Sequence, residues 1–410
     1  MGKLLTGQQL RKIFDHYCPF DGEGNLRPND ERVTLCANNS NNWWQTRAFV
    51  QAAAQGDQSP MVIQFSYNAN RKIGGDPTAI FIPEGVAYHA NPVTNSARIM
   101  SDWLAMEADA WGADFVAASL DHFNVPKFSP AAEYERAATP IEYEDKIDAA
   151  LAYLRKQGLD TVAAEVDDDT FAAYSNYLRS VEYRNFRADF LDTVSIMQPA
   201  WGMIDTEGIP PVLDFIITKD ITSGVRSDLN NNDMMLEAEL GATGKSGDEI
   251  EYEEISDEQL AEFAHLAASF IAYTGAEGIA YDIGMKHAAK SGEKHPTDTR
   301  KLEVVQRTII EETGIYAPFA QHGGTGAADI PRSLIGKTNL NTCYLVAGTQ
   351  ARFGYMDEHA ELVRAGDKKI CGTDVETHVY LQGVYEEVVR RFEGTGSWQL
   401  GPELARILPE

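Results

Sequence analysis

The stretch Ala317-Pro-Phe-Ala-Gln-His322-Gly-Gly-Thr325-Gly326 joins a short apolar segment to a histidine and a glycine-rich turn. The pattern predicts a buried strand over residues 315–321 that ends at His322. In β/α proteins, functional residues lie at the carboxyl ends of the strands. The glycines let backbone N–H groups approach an anion, and Thr325 adds a hydroxyl donor. For this stretch alone, an ordinary histidine followed by a glycine turn is the favoured interpretation, so the other strands decide its meaning.

Strand and helix patterns alternate along much of the chain. Helices are predicted at 97–110 and 299–313, with a long amphipathic helix at 376–392. Repeated βα units indicate parallel strands, and about eight of them indicate an α/β protein with a closed (β/α)8 TIM barrel. The other predicted strands are 33–37, 61–65, 114–118, 203–205, 234–240, 278–282 and 338–346, and the apolar run 212–217 is one more candidate.

Two segments depart from this alternation. Residues 67–75 are polar and end in two glycines, which predicts a loop. Residues from about 125 to 200 are helical and rich in charge and tyrosine, without a strand signal. We interpret them as a helical insertion in a single domain that spans residues 1–410.

Composition limits the classes of partner. The chain has 62 Asp+Glu against 35 Lys+Arg, a formal net charge of −27, so binding to nucleic acid is not expected. A small sugar phosphate remains compatible, because local N–H groups and a cation outweigh distant surface charge. No apolar run of about 18 residues and no secretion signal is present, which predicts a cytoplasmic protein without a membrane partner. The four scattered cysteines do not form a disulfide or zinc-finger pattern.

Four side chains with metal-binding atoms follow four different predicted strands. They are His122, Glu239, His287 and His322. Three imidazoles and a carboxylate suit Zn²⁺, with a coordination position left open for substrate. A single histidine after a strand is usually structural, whereas repetition at several strand ends favours a metal centre.

Four motifs together resemble those of the class II, zinc-dependent fructose-bisphosphate aldolases. They are Leu236-Glu-Ala-Glu-Leu-Gly241, His322-Gly-Gly-Thr-Gly326, Ser119-Leu-Asp-His122 and Lys337-Thr-Asn-Leu-Asn-Thr342. The resemblance covers most of residues 30–120 and 230–395. It implies a TIM barrel, dimeric or larger, that reversibly cleaves fructose 1,6-bisphosphate to dihydroxyacetone phosphate and glyceraldehyde 3-phosphate in glycolysis and gluconeogenesis.

The resemblance implies roles for the matched residues. His122, His287 and His322 would bind the catalytic zinc, Glu239 would be a further ligand or close neighbour, and Asp205 matches an aspartate near the metal. Asp121 would be the acid/base at the C4 hydroxyl. Gly284 and Lys290 match a monovalent-cation site. Substrate or phosphate contacts are implied for Asn38, Ser66, Gly323, Gly324, Thr325, Asn339, Asn341 and Thr342.

The reaction itself requires such groups. Breaking the C3–C4 bond of a ketose leaves a carbanion, and a divalent metal supplies the electron sink. One carboxylate accepts the C4-hydroxyl proton, and a second acid/base protonates the carbon.

The chain also departs from the family pattern. Ser119 replaces a histidine, and Asn341 replaces an aspartate near the phosphate. The loop that carries the carbon acid/base has a shifted spacing, and Asp248 or Glu249 is the candidate for that role. The Asp-Pro-Arg that reaches the distal phosphate is absent, and Arg352 or Arg364 could substitute for it.

Three alternatives stay open at this point. The first is a class II aldolase for a related ketose phosphate such as tagatose bisphosphate. The second is a Schiff-base aldolase, for which Lys219 and Lys337 are the lysines near strand ends. The third is a non-catalytic metal-binding barrel.

Overall fold

Eight parallel strands form a closed barrel in this computed structural model, which describes residues 4–86, 91–138, 142–241, 255–284, 297–327 and 334–408. Each strand pairs with its neighbours in chain order, and the last strand pairs with the first. The predicted TIM barrel is therefore confirmed. The strands are β1 Leu35–Asn39, β2 Met61–Ser66, β3 Val116–Asn124, β4 Trp201–Asp205, β5 Met235–Glu239, β6 Gly278–Ala280, β7 Phe319–Gln321 and β8 Ile335–Leu340.

Helices surround the barrel and cover its amino-terminal end. Two short π-helical segments, Gly224–Asp228 and Val375–Tyr380, continue into or out of α-helices. The α-helices are α1 Gly7–His16, α2 Trp43–Ala53, α3 Tyr67–Ile73, α4 Pro92–Trp111, α5 Glu144–Lys156, α6 Asp160–Ala163, α7 Asp168–Leu178, α8 Val181–Met197, α9 Pro211–Ser223, α10 Asp257–Thr274, α11 Thr299–Thr313, α12 Thr342–Glu358, α13 Ala360–Arg364, α14 Leu381–Thr395 and α15 Gly401–Ile407. None of the helices in the described ranges combines the length and hydrophobicity needed to cross a bilayer.

Three local predictions are wrong, each for a physical reason. The run 212–217 belongs to α9, which is buried on every side and therefore lacks a polar face that would reveal its period. The run 338–346 divides between β8 and α12. The polar segment after β2 is the helix α3, because the Ser66 hydroxyl accepts a hydrogen bond from Ala69 N at 3.2 Å and caps it.

In its described residues, the segment predicted as an insertion contains four helices between β3 and β4. The last of them, α8, packs against α4 in the outer ring. The buried Asp220 carboxylate on α9 holds this segment to the barrel. It accepts hydrogen bonds from Tyr143 and Tyr183 at 3.0 Å and pairs with Lys146 at 2.6 Å and Arg187 at 3.1 Å. Four donors from α5, α8 and the residue preceding α5 thus compensate one buried charge.

The amino-terminal end of the barrel is closed by α1. Thr6 and Gln9 form a reciprocal capping box that starts this helix. Its buried face, Leu10, Ile13 and Phe14, joins an apolar cluster inside the barrel, in which Phe14 contacts the Trp201 ring with centroids 5.4 Å apart. Because this end is packed with apolar side chains, the opposite, carboxyl end is where ligands can enter.

We expect Ile13→Ala to lower the free energy of unfolding by about 2–5 kcal/mol, because Ile13 is fully buried and its removal leaves a cavity. Chemical denaturation followed by circular dichroism measures the change. Lys12→Ala, on the exposed face of the same helix, is the matched control and should change stability by less than about 0.5 kcal/mol. Equal effects of the two substitutions would contradict the assignment of α1 as the closing element.

Candidate functional site

A cavity of about 490 Å³ opens at the carboxyl ends of the strands. This is the end at which TIM-barrel proteins carry their functional residues. Its described lining consists of Asn39, Asn41, Ser66, Asn68, Ala69, Lys72, Asp121, His122, Asn124, Asp205, Glu207, His322, Gly323, Thr325, Asn339, Asn341, Thr342 and Leu345.

An irregularity in β3 places two adjacent residues of this strand beside the cavity. The register between β3 and β4 shifts between Leu120 and Phe123, and His122 adopts a left-handed φ of +45°. Such a bulge is typical of functional strand ends, where it redirects a side chain. Asp121 and His122, which regular alternation would direct to opposite faces of the sheet, therefore both border the cavity.

Two histidines face each other across the cavity floor. Nε2 of His122 lies 2.9 Å from Nδ1 of His322. The opposite nitrogen of each ring bonds a carboxylate: His122 Nδ1 with Asp205 at 2.8 Å, and His322 Nε2 with Glu237 at 2.8 Å. An ionised carboxylate only accepts, so these ring nitrogens carry hydrogens. The facing nitrogens then avoid repulsion in one of two ways: one of them carries a proton and donates it to the other, or both bind a metal ion. Asp121, His122 and His322 bring their ligand atoms within 4.8 Å of one another, as a bound metal ion requires.

Electrostatics around the histidines favour a positive charge at this point. Burial lowers the pKa of His122, but the carboxylates of Asp121, Asp205 and Glu239 outweigh burial and raise its pKa to about 10. Burial also lowers the pKa of His322, and the neighbouring charge of His122 lowers it further. The surroundings thus stabilise one cation shared between the two rings rather than one on each ring.

Asp121 is held by three amide groups. Its Oδ1 accepts hydrogen bonds from Gln64 at 3.0 Å and Asn339 at 3.1 Å, and its Oδ2 accepts one from Asn39 at 2.9 Å. An ionised carboxylate offers roughly four lone-pair positions, so about one remains for a ligand. The amides therefore orient Asp121 and leave it one direction in which to accept a proton.

A glycine turn that could serve as a cradle for an anion borders the cavity directly after His322. Gly323 has a φ of +69°, and a Cβ at Gly324 would lie 2.8 Å from the carbonyl oxygen of Asn339, so both positions require glycine. The Thr325 hydroxyl accepts from Cys343 N at 3.3 Å and ties the glycine turn to the first turn of α12. Asn341 makes no side-chain cap on this 17-residue helix, whose amino terminus has the polarity that attracts phosphate.

The predicted site residues divide into three groups. Asp121, His122, His322, Ser66, Gly323, Thr325, Asn339, Asn341 and Thr342 all line the cavity, and Gly324 lies in the cradle turn. Four of the predicted residues lie outside the described part of the chain: His287, Lys290, Asp248 and Glu249. Gly284 is described, and its N–H donates a hydrogen bond to Asp282 at 2.8 Å. Glu239 is buried at the end of β5 and accepts from Thr206 N at 3.1 Å, outside the group formed by Asp121 and the two histidines.

Asn38 is not among the described residues that line the cavity. Its side chain is fully buried and accepts a hydrogen bond from the Tyr344 hydroxyl at 2.7 Å. The next residue, Asn39, faces the cavity and holds Asp121.

Sequence reasoning missed several residues of this site: Asn39, Gln64, Glu237 and Lys72. The first three follow the alternation of strand residues. The residues two positions before them belong to the apolar cluster inside the barrel, namely Ala37, Val62 and Met235. Reading each strand in steps of two would have placed these polar residues above that cluster. Lys72 carries no such signal, since the sequence of its segment predicts a loop.

Comparisons with known proteins point to one family. Residues 217–393 match the family model described as class-II fructose-bisphosphate aldolase. The crystal structure of fructose-bisphosphate aldolase (Fba) from Campylobacter jejuni is similar with a TM-score of 0.62 and 16% sequence identity, over 97% of each chain. At this identity the structural likeness shows the fold. No curated protein sequence matches the chain. Residues 217–393 thus match the model of the family that the motifs resemble.

We expect Asp205→Ala to weaken the binding of a divalent metal by about 10- to 100-fold, because it removes the acceptor that orients His122. The measurement is the loss of bound metal to a competing chelator. Asp228→Ala removes an exposed carboxylate outside the cavity lining and serves as the control. Unchanged metal retention in a folded Asp205→Ala protein would show that the histidine pair does not hold the ion.

Proposed function

We propose that this chain, whose residues 217–393 match the class-II fructose-bisphosphate aldolase model, is a lyase that performs a zinc-dependent aldol cleavage. The substrate would be fructose 1,6-bisphosphate, cleaved reversibly to dihydroxyacetone phosphate and glyceraldehyde 3-phosphate. The observation that supports this most directly is that Asp121, the facing histidines and the anion cradle border the same cavity. The similar Campylobacter protein carries the name of this activity.

The residues of the site fit a zinc ion. Two imidazole nitrogens bound to one tetrahedral Zn²⁺ at about 2.0–2.1 Å lie roughly 3.3 Å apart, so the pair at 2.9 Å would have to separate by only about 0.4 Å. His122 and His322 would hold the ion together with His287, and Glu239 would stand close by. Bound there, Zn²⁺ would polarise the substrate carbonyl and stabilise the charge left by bond cleavage.

Asp121 would act as the base at the C4 hydroxyl. Its three amide donors fix the carboxylate, and the lone-pair position that they leave is available to the substrate hydroxyl. As the hydroxyl proton moves to Asp121, the C4–O bond becomes a carbonyl and the electrons of the C3–C4 bond pass to the dihydroxyacetone phosphate half. Asn339 would contact that half while it also holds Asp121.

The glycine turn would hold the phosphate of the dihydroxyacetone phosphate half. Gly323, Gly324 and Thr325 stand beside the first turn of α12, where Thr342 adds a hydroxyl. Backbone donors at a helix amino terminus bind a phosphate without a formal positive charge. Asn341 in place of an aspartate removes a negative charge from this position and thus suits an anion.

Other elements of the proposal come from the family resemblance. Asp248 or Glu249 would protonate the carbon, and Gly284 with Lys290 would bind a monovalent cation. We further propose that the protein is a homodimer or larger oligomer and that it acts in the cytoplasm, in glycolysis and gluconeogenesis.

A Schiff-base mechanism is not supported. Lys337 is fully buried inside the barrel, where its ammonium pairs with Glu237 at 2.8 Å and donates to Asn339 at 2.8 Å. Lys219 lies on α9, with its ammonium over the Tyr273 ring. Neither lysine is among the described residues that line the cavity.

Chelation should abolish cleavage of fructose 1,6-bisphosphate, and added Zn²⁺ should restore it, because the carbonyl then regains its electron sink. A coupled assay of triose phosphate release measures both steps. Tagatose 1,6-bisphosphate, the C4 epimer, is assayed in parallel. No cleavage of fructose 1,6-bisphosphate by zinc-loaded protein would contradict the assignment of this substrate, and no cleavage of either would favour a non-catalytic barrel.

Asp121→Asn should lower kcat for cleavage by about 100- to 10,000-fold, because the amide cannot accept the hydroxyl proton. Steady-state kinetics of the zinc-loaded variant measures the effect, and its zinc content is determined alongside. Asp228→Asn is the control and should retain full activity. A variant that loses zinc together with activity would point instead to Asp121 as a metal ligand.

A further inference from the structure

The cavity has one lysine and no arginine among its described lining residues. That lysine, Lys72, stands in a lining that also contains the carboxylates of Asp121, Asp205 and Glu207. The chain has a formal charge of −27, so its composition alone would not lead us to expect a positively charged side chain at the margin of the cavity. No salt bridge to Lys72 occurs in the part of the chain that the structure describes, so no described carboxylate lies at salt-bridge distance from its ammonium.

The helix α3 gives this lysine its direction. The capping hydroxyl of Ser66 starts the helix directly at the end of β2. Ala69 and Lys72 are one turn apart, so they share the helix face that lines the cavity. The neighbouring Arg71 points elsewhere and pairs with Asp76 at 2.5 Å.

Lys72 and the anion cradle stand at different places on the barrel rim. The glycine turn of the cradle follows β7, and the other part of the cradle is the first turn of α12, which follows β8. The helix α3 follows β2, and β2 is two strands away from β8 around the barrel. Neighbouring strands are about 4.8 Å apart, which separates the two positions by roughly 10 Å or more. The histidine pair and Asp121 border the same cavity as Lys72 and the cradle. An open-chain ketose held by one end in the cradle is long enough to reach α3 with its other end.

We propose that Lys72 binds the anionic group at the far end of the substrate and so makes the enzyme selective for a sugar phosphorylated at both ends. The inference rests on the proposed function, because the cradle is taken to hold the first phosphate. A lysine ammonium is a compact charge that donates to phosphate oxygens. It would supply the positive charge that the resemblance assigns to an arginine, which this sequence lacks.

The two arginines considered from the sequence do not meet this requirement within the described chain. Arg352 on α12 pairs with Glu376 at 2.7 Å, and Arg364 ends the short helix α13. Neither belongs to the described lining of the cavity. They are therefore suitable controls.

The test compares Lys72→Met with the unmodified zinc-loaded protein in two ways. Calorimetry measures binding of two open-chain ligands that cannot be cleaved, a hexitol 1,6-bisphosphate and a hexitol 1-phosphate. We expect Lys72→Met to weaken bisphosphate binding by about 10- to 100-fold and to leave monophosphate binding within roughly twofold. In the cleavage assay, KM for fructose 1,6-bisphosphate should rise by a similar factor, with fructose 1-phosphate unaffected. Lys72→Arg should restore most of the bisphosphate affinity.

Arg352→Met and Arg364→Met should leave the preference for the bisphosphate unchanged. The inference is overturned if Lys72→Met binds both hexitols as the unmodified protein does, if it weakens both equally, or if an arginine variant alone loses the preference. Failure of the proposed function has a different signature: the unmodified protein then cleaves no ketose phosphate, while the calorimetric comparison still decides the role of Lys72.

Discussion

The close approach of His122 and His322 is the constraint on which the site depends. Two ring nitrogens at 2.9 Å repel unless a cation lies between them, and the carboxylates of Asp205 and Glu237 fix the rings in that orientation. These four side chains come from β4, β5 and the ends of β3 and β7. The barrel therefore has to close, with the correct register and with the bulge in β3, before the cation site exists.

The same arrangement places a buried ionic network beneath the site. The carboxylate of Glu237 contacts His322, Lys337 and the indole N–H of Trp201, the last at 2.6 Å. Burial raises the pKa of Glu237, but Lys337 and His322 outweigh it and lower the pKa to about 2. Removing one member of such a network costs about 3–5 kcal/mol, because it leaves an unpaired buried charge. The network thus fixes the ring of His322, and the stability of the barrel depends on every member of the network being present.

Charge is arranged differently at the surface and in the cavity. The surface of the chain is strongly acidic, and three carboxylates border the cavity, yet the proposed substrate is an anion. Local donors resolve this conflict. The glycine turn and the first turn of α12 provide N–H groups on one side, and Lys72 provides a cation on the other. Short-range hydrogen bonds in a partly enclosed cavity outweigh the screened field of distant surface carboxylates.

The sequence by itself determined the eight-stranded barrel, the resemblance to one family and the residues in contiguous motifs, because strand periodicity and glycine turns are local properties of the chain. Asp121, His122, His322 and Thr325 could be named for this reason. The tertiary structure alone decided which of Asn38 and Asn39 faces the cavity, since a shift of one residue reverses every side chain of a strand. It also decided that Asn339 and Gln64 hold Asp121, and that Lys72 lies on a helix beside the cavity. Those relations join residues far apart in the chain, and only the closed barrel brings them within bonding distance.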